Sequence, residues 1–274
     1  MISKKTKEKE FLKEKLSIET DYYIILLGWA VLFFTVLGHL YVYTTFPPSL
    51  TAYDVVSEIG LPQGIETALV KVTNDILVLG TIVSVVSIIY LLDRHLAIEK
   101  LRKMKVKVNT FTTFGKKIHT INIYAKAILI ITFIIGLPWI LATTGIFVSD
   151  IPLIGNLFMG KQDYKGYPSV HLGSHHGYTG FVIFSLMILV FTTAKYLYDK
   201  RLKIIAGIGA SFLFVWGFYN MFQDFFTEQI VKRGLAESGF PSPQAYIESL
   251  LPIYIVGTVI IYIFVWRKLE TKMK

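Results

Sequence analysis

Apolar residues along this chain collect into six blocks divided by polar and charged stretches: Tyr22 to Tyr43, Leu69 to Leu92, Ile121 to Phe147, Tyr178 to Tyr198, Ile204 to Phe226 and Leu250 to Trp266. As a helix rising ~1.5 Å per residue, each block has the length scale needed to cross about 30 Å of hydrocarbon. The pattern predicts an all-α, polytopic integral membrane protein. Its expected organisation is a charged segment over residues 1–21, followed by a single six-helix transmembrane domain over residues 22–274. No small-residue cleavage site follows the first block, which therefore reads as a retained anchor and not as a removable signal peptide.

Composition agrees with the pattern, since 53% of the residues are hydrophobic and only 17% are charged. A soluble domain carries more charge than that. Cysteine is absent. That excludes disulfides, iron–sulfur clusters, covalently attached c-type haem and thiolate copper sites within this chain. Any bound metal must use histidine, carboxylate or backbone ligands.

The net charge of +9 is distributed unevenly. When the block ends are assigned alternately to two sides, 23 of the 28 Lys and Arg residues fall on one side and five on the other. The positive-inside rule makes the basic side cytoplasmic, with both termini inside. The basic balance thus speaks for membrane topology and contact with lipid headgroups, not for nucleic acid. On this reading the loop from Asp93 to Thr120 is internal, and its Lys-alternating stretch Leu101 to Val108 lies along the membrane surface. Pro138 is expected to kink the third span.

Three of the six histidines fall within six residues, His171-Leu172-Gly173-Ser174-His175-His176, at the outer entrance to the fourth span. Imidazoles are costly to place at a membrane boundary and are good metal or haem ligands. Pro168-Ser169 reads as the start of that helix, with Ser169 capping it and the histidines in its first turns. A helix pairs His171 with His175 four residues on and turns His176 about 100° away. Gly173, Gly177 and Gly180 form a strip that lets a neighbouring helix or a flat cofactor approach closely.

Other polar residues reach a similar depth from different spans: Thr35 and His39 in the first, Asn74 and Asp75 in the second, and Asn220, Gln223 and Asp224 in the fifth. Together with the histidines they could line one outward-facing cavity. Plainer roles exist for each. Lys71 and Asp75 are four apart and could neutralise each other, Asn220 and Asp224 could bond helix to helix, and His39 could be a structural histidine. His95 and His119 fall in the basic loop and read as solvated or headgroup-facing.

These residues permit two kinds of cofactor. Haem b could be held by His39 with His171 or His175. A copper, iron or zinc ion could be held by two or three imidazoles from His39, His171, His175 and His176, with His176 the more peripheral, together with Asp75 or Asp224, a mixed nitrogen and oxygen set. Either predicts a membrane oxidoreductase or electron-transfer subunit, working with other subunits of a membrane complex and with a quinone or another small molecule as candidate substrate. The rival reading is an accessory subunit without its own cofactor.

Pro168-Ser169-Val170-His171 resembles the Pro-Ser-Gly-His motif of the phosphatidic-acid-phosphatase superfamily. That resemblance implies a phosphate-ester hydrolase in which His171 is the acid. The chain departs from the family pattern: Lys161 and Lys165 lack a following Arg-Pro, Val170 replaces the glycine, and the fifth span has no Arg or His. His171-x-x-x-His175-His176 is also similar to one histidine box of membrane fatty-acid desaturases. Those enzymes need several such boxes on the cytoplasmic side, and the six histidines of this chain do not supply them.

Overall fold

The computed structural model describes residues 6–10, 12, 20–45, 69, 72–73, 76–104, 123–143, 163–164, 167–168, 176–194, 196–227, 230, 236 and 247–266. Apart from one minimal hairpin, all regular structure among them is helical. Helix α1 spans Thr20–Thr45. Helix α2 opens with a π-helical turn at Ile76–Gly80 and continues as an α-helix over Thr81–Lys103. Helices α3, α4 and α5 span Ile123–Thr143, His176–Ala194 and Lys200–Phe226. Helix α6 spans Ile247–Ile261 and ends in a second π-turn at Tyr262–Trp266. Strands β1, Asp163–Tyr164, and β2, Tyr167–Pro168, pair antiparallel.

Four of these helices have segments long and apolar enough to cross a membrane: Ile24–Tyr41, Ile76–Lys103, Gly177–Ala194 and Lys200–Phe226. Shorter apolar runs lie at Ile123–Leu137 and Leu250–Phe264. Their outward faces are greasy, with Phe34, Leu77, Ile88, Ile130 and Phe264 among the exposed side chains. Apolar surface on this scale is at home in lipid and aggregates in water. The helices are compatible with a multi-pass membrane protein.

Helix α4 is the centre of the bundle, with 72% of its apolar window buried against 28–33% for the other three membrane-length helices. Its closest partner is α5. A Cβ built at Gly180 would lie 2.7 Å from Gly217 O, and one at Gly217 would lie 2.8 Å from Phe184 N. Only glycine at both positions lets the two backbones come this close. Phe184 then packs at a tilt against Phe214, with ring centroids 4.5 Å apart. Of the glycine strip at the start of the fourth span, Gly180 thus serves helix packing.

One helix boundary differs from the sequence expectation. Helix α2 does not end near Leu92 but runs on to Lys103. Asp93, Ala97 and Leu101 are buried at a spacing of four along one face, so the charged residues between them decorate a helix. Leu12, which with residues 6–10 is helical, packs with Ala97 and Leu101, and Lys100 pairs with Glu8 at 3.5 Å. The described part of helix α4 begins at His176 and Pro168 is extended in β2, while Ser169, the expected cap, lies outside the described residues. The helical backbone of α3 continues through Pro138 to Thr143.

Candidate functional site

The bundle has two polar ends. At one end lies His39, fully buried in the last third of α1. Its ring meets that of Tyr178 edge-on, with centroids 6.0 Å apart. Tyr178 belongs to the first turn of α4, two positions after His176 and three after His175. Four residues before His39, and therefore on the same helix face, the buried Thr35 shares a 3.0 Å hydrogen bond with the Tyr178 hydroxyl. The pairing of Thr35 with His39 read from the sequence is thus real, and Tyr178 is what joins them.

Helix α5 brings its own polar group to the same end. Asn220, Gln223 and Asp224 are all buried, and the Asn220 Cβ lies against Gly180, two residues beyond Tyr178. Asn220 donates to Trp216 O at 2.7 Å, while its buried Oδ1 accepts no bond from any described residue. An unmet buried acceptor costs about 1–3 kcal/mol. Gln223 donates to the Thr227 hydroxyl at 3.1 Å, which ties off the end of α5.

Not every expected ligand can be located. His171, His175, Asn74 and Asp75 lie outside the described residues, as do Lys71 and His119. His176 is the first residue of α4, and only its backbone position is described. Among the described residues, no three His, Asp or Glu side chains are gathered as a metal site. His39 and Asp224 are buried at the same end of the bundle, on different helices.

No family, no curated protein and no solved structure matches this chain. Function must therefore be argued from the side chains alone.

Below this polar end lies an apolar cavity of about 130 Å³ between α1, α2 and α4. Its walls include Leu27, Gly28, Val31 and Leu32 from α1, Leu79, Ile82 and Val83 from α2, and Phe181, Val182 and Ser185 from α4. Trp29 closes α1 onto α2 next to it, donating through Nε1 to the Ser87 hydroxyl at 3.2 Å.

The opposite end is built around a residue that the sequence reading assigned to a loop. Asp93 is fully buried and accepts the backbone N–H groups of Tyr198 and Asp199 at 3.0 and 2.7 Å. Asp199 in turn caps α5, accepting from Arg201 N and Leu202 N. Burial pushes the Tyr198 phenol above its ordinary value of 10.0, outweighing the opposing effect of Lys100. These bonds clamp the turn between α4 and α5 onto α2, a structural role that needs no ligand. His95 on the outer face of α2 is exposed and 3.7 Å from Glu99, in keeping with a solvated role.

Tyr178, Asp93 and Gly217 were not legible as site or packing residues. Tyr178 could have been noticed as the first aromatic side chain after the triple histidine. Asp93 and Gly217 carry no sequence signal that separates them from other loop carboxylates and span glycines.

Proposed function

We propose that this chain is a six-span subunit of a cell-membrane oxidoreductase or electron-transfer assembly, with both termini cytoplasmic, which binds a transition metal at the outer end of its bundle. His39 is one ligand in this reading, and the His171 to His176 segment supplies the others, with Asp75 or Asp224 completing the set. One observation carries the reading: His39 is fully buried against Tyr178, which follows His175 and His176 by three and two positions. A buried imidazole joined to a histidine-rich chain segment is the arrangement that metal binding uses.

Packing favours an ion over haem b. Tyr178 fills the contact between α1 and α4 beside His39, and the space at Gly180 is filled by α5, which leaves no flat slot for a macrocycle there. The apolar cavity of about 130 Å³ is small beside the ~300–1,000 Å³ pockets of drug-sized ligands, and haem is larger still. Copper, iron and zinc all suit imidazole with carboxylate, and copper or iron would supply one-electron chemistry there.

Metal analysis with visible spectroscopy on the purified protein tests the proposal. A stoichiometric transition metal that His39→Ala and His175→Ala both remove is the expected result. A protein with neither metal nor a Soret band is instead an accessory subunit, and the histidine variants then affect assembly alone.

A further inference from the structure

We propose that Asn220 and Asp224 form a binding site for a monovalent alkali cation at the seam between α4 and α5. Both lie in the last two turns of α5, four residues apart and therefore on one face of the helix. Asn220 is 0% exposed and Asp224 2%, with Gln223 buried beside them. This face is turned into the bundle. A Cβ built at Gly180 would meet Asn220 Cβ at 2.7 Å, and one at Gly217, three residues before Asn220, would meet Phe184 N at 2.8 Å. One turn further along the same seam, Asp224 comes level with the start of α4 at His176. The helix that carries these groups is long and apolar enough to cross a membrane. Polar side chains buried in such a helix are costly to keep and mark ion or proton sites.

The donors and acceptors select a cation. Asn220 donates through Nδ2 to Trp216 O at 2.7 Å, one turn back toward the middle of α5, so its Oδ1 arm is directed away from that carbonyl. That oxygen is buried and accepts no hydrogen bond from any described residue. An ionised Asp224, one turn beyond, is an acceptor only. An amide carbonyl beside a carboxylate is the ligand set of hard cations, whereas copper and iron favour imidazole or sulfur. Position on the helix adds to this, because the C-terminal end of a helix is electronegative and favours positive charge within its last turn. Charge then decides the valence. Asn220 and Gln223 are neutral and Asp224 contributes one negative charge, which a monovalent ion cancels. A divalent ion would leave a net charge in the low-dielectric bundle.

The site is separate from the histidine centre, for which Asp75 then supplies the carboxylate, and it needs no transition metal. The test titrates purified full-length protein in nanodiscs with radioactive sodium, read by scintillation proximity. Wild type should bind sodium saturably, and sodium in place of choline at equal ionic strength should raise its melting temperature. Asp224→Asn, which keeps the shape and removes the charge, should weaken sodium at least about tenfold. Asn220→Ala, which keeps the Cβ against Gly180, should do the same. Both should lose the sodium-dependent rise in melting temperature. No saturable binding by wild type overturns the proposal, and a water between the two side chains is then the donor to Asn220. Sodium binding that survives in both variants, or in Asp224→Asn alone if Asn220→Ala does not fold, overturns it equally. Calcium that displaces the label at lower concentration than unlabelled sodium overturns the monovalent assignment. Transition-metal content measured on the same samples separates these outcomes from failure of the histidine reading.

Discussion

Replacing Gly180 by Ala probes the contact on which the bundle is built. The added Cβ would stand 2.7 Å from Asn220 Cβ, from Gly217 O and from Met221 N. Ordinary carbon contacts lie near ~3.5 Å, so α4 and α5 would have to separate by roughly 0.8 Å. Two of the three atoms are backbone and cannot rotate aside. Overpacking costs about 1–3 kcal/mol where side chains can adjust, and with backbone on the far side the upper end, about 3 kcal/mol, is expected. Gly209, on the same helix α5, has nothing within 4 Å of a built Cβ. Gly209→Ala should instead gain up to ~1 kcal/mol through helix propensity. Equilibrium unfolding of both variants in detergent, followed by tryptophan fluorescence, should therefore separate them by about 3–4 kcal/mol. If Gly180→Ala proves as stable as Gly209→Ala, the close α4–α5 packing described above is wrong.

Three further outcomes follow from the same geometry. Asp93→Ala leaves the Tyr198 and Asp199 amides without their acceptor and should cost about 2–4 kcal/mol, with faster hydrogen exchange confined to the turn between α4 and α5. Asp199→Ala removes only the cap of α5 and should cost about 1 kcal/mol in the same unfolding assay. Leu12→Ala should loosen the N-terminal segment from α2, costing about 2–3 kcal/mol locally, and should show as earlier proteolytic cleavage near the N-terminus with the bundle intact.

The apolar blocks were legible because a membrane span needs an unbroken run of apolar residues, and α1, α4 and α5 begin and end within four residues of those blocks. Helix α2 was cut short because charge was taken as the end of a span. The burial of Asp93, Ala97 and Leu101 shows instead that a helix can leave the apolar region and keep a packed face. The expected cap at Ser169 lies outside the described residues, and Pro168 just before it is extended and paired with Asp163, a conformation that its fixed φ also suits. At the site, the Thr35 and His39 pairing follows directly from helical spacing. Tyr178 was hidden because an aromatic residue at a span start is ordinarily an interfacial anchor. The cavity was equally hidden, since a void arises from three helices together and leaves no trace in any one of them.

The central claim is that His39 and the His171 to His176 segment hold a metal ion. Inductively coupled plasma analysis of the protein purified in detergent, alongside His39→Ala and His175→Ala, tests it most directly. About one copper, iron or zinc per wild-type chain, lost in both variants while α-helical content is kept, is the predicted result. A folded wild type with no bound metal, or a metal that both variants retain, would contradict it.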